Sequence, residues 1–281
     1  MGSVVAVVTD STSYLPAELA GRHGLTVVPM QIAVGGTVRD EGDVTTGEAA
    51  RALKDRRPVT TSRPAPERFA GVYRALADAG AAAVVSVHLS AAMSGTAQAA
   101  RLAAEAAPVP VRVVDTGTIG LGLGFAALSA AAAVLRGAGA DEAAEAATRR
   151  ADRSRSLFYV DTLEHLRRGG RIGAAATLLG SALMVKPLLG IADGRIAPLE
   201  KVRTSARALA RLEEIAVAEA GDRRVDLGVQ HLAAAARAES LAVRLRARIP
   251  HVVDVYVGEV GPVIGAHVGP GMLGVVIAPQ P

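Results

Sequence analysis

The histidine His267 lies in a segment rich in glycine and proline, GPVIGAHVGPGMLG, at residues 261–274. Glycine and proline make a backbone that turns repeatedly, and glycine leaves room for a ligand or another chain to come close. The segment predicts either a loop between two strands in which the histidine is incidental, or a frame that holds an imidazole against a ligand. The segment by itself does not choose between them.

Hydroxyl side chains precede two predicted helices. Ser94 is followed by Gly95 and Thr96 at the start of one helix, and Thr61 and Ser62 stand shortly before another. Free backbone N–H groups and the positive end of the helix dipole meet at such a start, so these residues could hold an anion such as a carboxylate. The alternative for each hydroxyl is that it only caps its helix.

The sequence lacks the familiar catalytic signatures. It has no Walker A motif, no G-x-S-x-G elbow and no H-E-x-x-H motif. The 6 histidines are scattered singly, and the absence of cysteine excludes thiolate metal sites and cysteine nucleophiles. We therefore expect neither a metal nor a cofactor. One enzymatic interpretation stays open, in which Asp10 or Asp115 acts with His267 as acid and base on a small acyl or phosphorylated substrate.

The composition limits the class of partner. Of the 281 residues 50% are hydrophobic but only 2% are aromatic, so small aliphatic side chains must build the interior. The net charge is +4, yet the arginines are interleaved with acidic residues and alanine, and the few aromatics do not accompany them as a base-stacking surface requires. We therefore expect no nucleic-acid partner.

Two apolar stretches raise the question of a membrane. No basic residue precedes the apolar run at the N-terminus, so we expect no secretory signal. The longest apolar run, residues 119–135, is short for a membrane span, contains three glycines and is rich in alanine. A buried helix against a sheet is the better interpretation. The sequence therefore predicts a cytoplasmic protein without stable membrane insertion.

The elements that must position the candidate residues follow a β-α-β rhythm in the N-terminal part. Short apolar strands are predicted at residues 4–8, 83–89 and 111–114, and each ends in hydroxyl or acidic residues before a helix. This pattern predicts a parallel sheet. Ligands bind such sheets beyond the carboxyl ends of the strands, which is where Ser11 and Ser94 are expected.

The C-terminal part predicts a second α/β domain. Predicted strands at residues 188–191 and 196–202 flank an Asp-Gly pair, which is a strong signal for a two-residue hairpin turn. Further strands and helices complete a mixed or antiparallel sheet. We therefore predict an N-terminal Rossmann-like α/β/α domain at residues 1–154 and a C-terminal α/β domain at residues 155–281.

Seven segments, in order along nearly the whole chain, resemble the DegV family of bacterial fatty-acid-binding proteins. They are VTDSTSYLP (residues 8–16), TSRPAP (61–66), SGTAQAA (94–100), YVDTLEHLRRGGRIG (159–173), KPLLGIADGRI (186–196), KVRT (201–204) and GPVIGAHVGPGMLG (261–274). Any one of them would be a weak signal, and the resemblance rests on their order.

The resemblance implies a two-domain protein that encloses one long-chain fatty acid in an apolar tunnel between the domains. Family members of known role present the carboxylate of this acid to a separate fatty acid kinase, which makes an acyl phosphate for phospholipid synthesis. On this pattern the chain is a lipid-binding carrier without catalytic residues of its own. Arg171 in GGRIG would contact the kinase. The carboxylate site would comprise Thr61, Ser62, Ser94, Gly95, Arg203 and His267.

Two segments depart from the usual family pattern. The motif that usually reads TSQPS carries Arg63 in place of glutamine and Ala65 in place of the last serine. Arg63 thus adds a positive charge near the expected head group. Ala91, Ala92 and Met93 stand directly before Ser94 and would reshape the tunnel wall and its preference for chain length.

Overall fold

The computed structural model describes residues 4–55, 57–178 and 186–280. Its strands, numbered in chain order, are β1 Val5–Asp10, β2 Leu25–Val28, β3 Gln31–Val34, β4 Thr37–Asp40, β5 Val59–Ser62, β6 Ala83–His88, β7 Val111–Asp115, β8 Arg155–Tyr159, β9 Lys186–Ala192, β10 Arg195–Val202, β11 Val225–His231, β12 Val252–Glu259 and β13 Leu273–Pro279. Its α-helices are α1 Ala17–Arg22, α2 Thr46–Lys54, α3 Pro66–Asp78, α4 Thr96–Ala104, α5 Leu121–Leu135, α6 Ala140–Arg153, α7 Glu164–Arg168, α8 Ser205–Ala220, α9 Ala235–Arg248 and α10 Pro262–Val268. Short 3₁₀ helices are Ser11–Ser13, Glu41–Asp43 and Gly173–Leu178.

The first of two compact units holds the described residues up to Gln31 together with Ser62–Arg153. Its sheet has the strand order β2-β1-β6-β7, and every neighbouring pair is parallel. The predicted parallel sheet is therefore confirmed. Helices α3 and α4 cover the side of this sheet that presents Val8 and Val84, and the rings of Phe69 and Tyr73 fill that layer.

The apolar run near residue 120 forms helix α5, which packs against α6 and against β1. Alanines such as Ala126, Ala127 and Ala130 along this helix are fully buried, because their small side chains let neighbouring elements come close. Among the residues that the structure describes, no helix is long and apolar enough to cross a membrane.

The second unit holds the described residues of Ile32–Thr61 and Ser154–Gln280. Its main sheet has the order β10-β9-β8-β13-β11-β12, in which only the pair β11 and β12 is parallel. The mixed sheet is thus confirmed. The hairpin between β9 and β10 turns at Asp193 and Gly194, both with positive φ, as expected for a two-residue hairpin loop. Helices α8 and α9 supply the residues that pack on the apolar core of this sheet.

The segment Ile32–Thr61 is the exception to the prediction of two continuous domains, residues 1–154 and 155–281. It belongs to the unit formed by the C-terminal part of the chain, whereas the later transition, between Arg153 and Ser154, falls beside the predicted boundary. The physical reason is a set of long-range contacts. The segment carries the small sheet β4-β3-β5, α2 packs against α10, and the carboxylate of Glu41 accepts a buried hydrogen bond from the backbone of Val263 at 2.9 Å. The predicted ends at residues 1 and 281 lie outside the described residues.

Candidate functional site

His267 lies in the last turn of α10, so the glycine- and proline-rich segment is a helix followed by a short turn rather than a loop throughout. Pro262 occupies the first turn, where a missing N–H costs nothing. Gly269 ends the helix with φ at 74° and donates its N–H to the carbonyl of Gly265. Most side chains between these ends are buried, so the packed helix fixes the position of the imidazole.

The imidazole of His267 and the hydroxyl of Thr61 form a direct pair. The Nε2 atom lies 2.8 Å from Thr61 Oγ1, and 206 positions of sequence separate the two residues. Both side chains are partly buried. The structure therefore brings together two of the residues that the family resemblance assigned to the carboxylate site.

His267 is neutral at physiological pH. Burial lowers its pKa to about 4, and the positive charge of Arg171 adds to the shift. The Nδ1 atom is buried and has no hydrogen-bond partner among the described residues. Because an unpaired buried N–H is costly, the proton belongs on Nε2, which then donates to Thr61. The hydroxyl proton of Thr61 is left free to be donated to a ligand.

Two glycines and two histidines pack reciprocally between α7 and α10. A Cβ placed on Gly169 would lie 2.1 Å from Nδ1 of His267, and a Cβ on Gly269 would lie 2.3 Å from Cδ2 of His165. Each imidazole thus rests on the backbone of a glycine from the other segment. Any side chain at Gly169 would displace the ring that contacts Thr61.

The capping interpretation of Thr61 and Ser62 is wrong. Both residues belong to strand β5, and the residue that caps α3 is Ala65, which makes no side-chain hydrogen bond there. Successive strand side chains point to opposite faces, so Ser62 does not share the face on which Thr61 meets His267. The hydroxyl of Ser62 donates instead to Gln31 Oε1 at 3.4 Å.

Ser94 does not cap its helix either. The N-cap residue of α4 is Gly95, and among the residues that the structure describes no side-chain hydrogen bond caps this helix. Ser94 Oγ lies 2.8 Å from Thr96 Oγ1, and the Thr96 hydroxyl donates to the thioether of Met30 at 3.5 Å. A thioether is a weak acceptor. Thr96 can therefore turn its proton toward Ser94, which leaves the Ser94 proton available to an anion.

The two arginines of the predicted site are both exposed. Arg171 donates to the carbonyl oxygen of Gly169 at 2.7 Å, beside the glycine on which His267 rests. Arg203 stands between strand β10 and helix α8. The structure thus links Arg171 to His267 through one backbone contact and shows no comparable link for Arg203 within the described parts of the chain.

A buried polar chain at the carboxyl ends of β1 and β6 went unnoticed in the sequence. Tyr73 donates to Ser86 at 2.9 Å, Ser86 lies 2.7 Å from His88, and His88 lies 3.0 Å from Asp10. The side chain of Asp10 also accepts from the backbone of Leu89 at 3.1 Å. Burial raises the pKa of Tyr73 to about 12. The signal was a histidine and an aspartate that each end an apolar strand.

The hydrogen bonds of Asp10 and Asp115 also weigh against the enzymatic interpretation. Asp10 is fully buried and its two oxygens are occupied, while Asp115 accepts from two nearby backbone N–H groups. Within the described ranges, no group of three or more histidine or acidic side chains could hold a metal ion.

Comparisons with known proteins agree on one family. A family model described as an uncharacterised protein of the DegV family matches residues 4–280. A DegV domain-containing protein of Streptomyces coelicolor is 58% identical over 279 residues, which cover 99% of each chain. The solved structure of a fatty-acid-binding DegV family protein from Thermus thermophilus aligns over 100% of both chains with 34% identity and a TM-score of 0.91. That of DegV, a fatty acid binding protein from Bacillus subtilis, covers 99% of this chain and 100% of its own, with 31% identity and a TM-score of 0.91.

Proposed function

This chain belongs to the DegV family, and from that premise we propose that it binds one long-chain fatty acid in an apolar tunnel. The carboxylate accepts hydrogen bonds from the hydroxyls of Thr61 and Ser94, with His267 holding Thr61 in place. Gly95 contributes backbone at the start of α4. The family resemblance also assigns two exposed residues, Ser62 and Arg203, to the carboxylate site.

The Thr61–His267 pair is the observation that supports this proposal most directly. When the neutral imidazole donates its N–H to Thr61, the Thr61 hydroxyl keeps its own proton to donate to another group. An anionic ligand needs such a hydrogen-bond donor. Burying a carboxylate without partners is expensive, and charge-assisted hydrogen bonds offset that cost. A neutral histidine also avoids burying an unpaired positive charge when the ligand is absent.

The acyl chain supplies most of the affinity. Each buried methylene contributes about 0.8 kcal/mol, so roughly 15 methylenes contribute ~12 kcal/mol before the cost of ordering the chain. The hydroxyls then fix which end of the ligand lies at the polar site. An acid bound in this way should stay with the protein through purification.

We further propose that the chain is a carrier and that a separate fatty acid kinase phosphorylates the bound carboxylate. Arg171 is the predicted contact for that partner, and its exposed guanidinium suits the role. Phosphoryl transfer would then depend on the kinase, because the carrier contributes binding and orientation only.

Native mass spectrometry of the purified protein tests the binding proposal. We expect one long-chain fatty acid per chain, and uptake of one added acid after delipidation. Protein that stays empty in both experiments would contradict the proposal. For the partner, we expect acyl phosphate only when the loaded carrier, ATP and a bacterial fatty acid kinase are combined. Formation of product without the kinase would contradict the carrier role.

A further inference from the structure

Arg63 lies against the backbone at the start of helix α4. A Cβ placed on Gly95 would lie 2.8 Å from Nη1 of Arg63, 2.9 Å from its Cδ and 3.3 Å from its Cζ. The guanidinium therefore occupies the space that the missing side chain of Gly95 leaves open. Gly95 follows Ser94 directly, so this cation stands beside one of the two hydroxyls proposed to hold the carboxylate.

The backbone around Arg63 is stiff. Pro64 and Pro66 follow at alternate positions, and a residue that precedes proline is restricted to extended conformations. Ala65, with φ at −68° and ψ at 151°, has such a conformation, and Pro64 is buried. The base of the Arg63 side chain is thus held in place although its end is exposed.

The guanidinium has no hydrogen bond or ion pair with any residue in the described parts of the chain. It lies instead near the amino end of α4, where the helix dipole is positive and where no side chain of the described residues caps the free N–H groups. Two positive features side by side repel each other. An anion in contact with both would turn this repulsion into attraction.

We infer that Arg63 is a specificity-determining residue that makes the site select ionised head groups over neutral ones. The inference rests on the proposed function, because it assumes that the acyl ligand places its head group beside Ser94. In addition to that function, the guanidinium of Arg63 would account for a large part of the site's preference for a carboxylate over an alcohol. Because the guanidinium is exposed, salt should weaken the preference.

The test compares myristate with tetradecanol, two ligands of equal chain length, by calorimetric titration of the delipidated protein. For Arg63→Gln we expect myristate to bind about tenfold more weakly, as for loss of one charge-assisted hydrogen bond, while the affinity for tetradecanol stays unchanged. The myristate affinity of the variant should also depend less on ionic strength. Unchanged tetradecanol binding shows that the variant is folded.

Two further variants sharpen the test. Arg136→Gln removes the same charge from an exposed residue at the far end of α5 and should leave both affinities unchanged. Gly95→Ala keeps every charge but pushes the guanidinium aside, so it should reduce the preference for myristate in the same direction as Arg63→Gln. The inference is overturned if Arg63→Gln keeps the preference of the wild type. If the wild type binds neither ligand, the proposed function itself fails.

Discussion

The neutral state of His267 makes the stability of the folded protein depend on pH. Burial and Arg171 hold its pKa at about 4 in the folded protein, against 6.5 for an unperturbed histidine. At a pH between these two values, His267 binds a proton in the unfolded chain but not in the folded chain. Stability therefore falls as the pH falls through this window, and the loss is complete once the pH is below about 4.

The size of this effect follows from the shift. A pKa lowered from 6.5 to about 4 corresponds to at most roughly 3–4 kcal/mol, at roughly 1.4 kcal/mol for each pH unit. The substitution His267→Gln removes the titrating group and keeps a side-chain N–H that can reach Thr61. We expect the free energy of unfolding of the wild type to fall by up to this amount relative to His267→Gln between neutral pH and about pH 4.

Urea unfolding at a series of pH values measures the difference directly. Other groups titrate in both proteins, so their contributions cancel when one curve is subtracted from the other. Thr61→Val is the matched control: it removes the hydrogen bond but leaves His267 buried, so it should keep the pH dependence of the wild type. Parallel curves for the wild type and His267→Gln would refute the assignment of a buried, neutral imidazole.

Three other predictions concern the same part of the molecule. Replacing Thr61 and Ser94 together with alanine should weaken fatty-acid binding by about 1–3 kcal/mol; an unchanged dissociation constant would remove both hydroxyls from the site. Gly169→Ala should cost about 1–3 kcal/mol of unfolding free energy by overpacking, and much less in a His267→Ala background, whereas equal costs in both backgrounds would contradict the contact. Glu41→Ala should destabilise the fold by about 1–3 kcal/mol, because it leaves a buried backbone N–H at the start of α10 without its acceptor; a variant as stable as the wild type in thermal unfolding would show that this bond contributes little.

The parts of the fold that were predictable depend on local signals. Strands β1, β6 and β7 are short apolar runs that each lead into a helix, and a parallel sheet follows from that rhythm alone. The hairpin between β9 and β10 follows from an Asp-Gly pair, since both residues need positive φ there. In both cases neighbouring residues carry the whole signal.

The parts that were missed depend on contacts between distant residues. No local sequence pattern near Glu41 predicts that its carboxylate accepts a hydrogen bond from the N–H of Val263, 222 positions away. This contact helps to place Ile32–Thr61 with the C-terminal part of the chain. The misinterpretation of α10 has a different cause. Glycine and proline are typical of loops, but proline in the first turn and glycine just past the end also delimit a short helix.

The packing of His267 against Gly169 and of His165 against Gly269 limits which substitutions these four positions can accept. The ring of His267 fits only while position 169 carries no side chain, so a bulkier residue at Gly169 is tolerated only if His267 is replaced by a smaller residue at the same time. Gly269 has in addition a positive φ, which favours glycine whatever residue faces it. Substitutions at Gly169 and His267 should therefore be accepted in pairs, and a library that randomises Gly169 alone should recover mainly the original glycine.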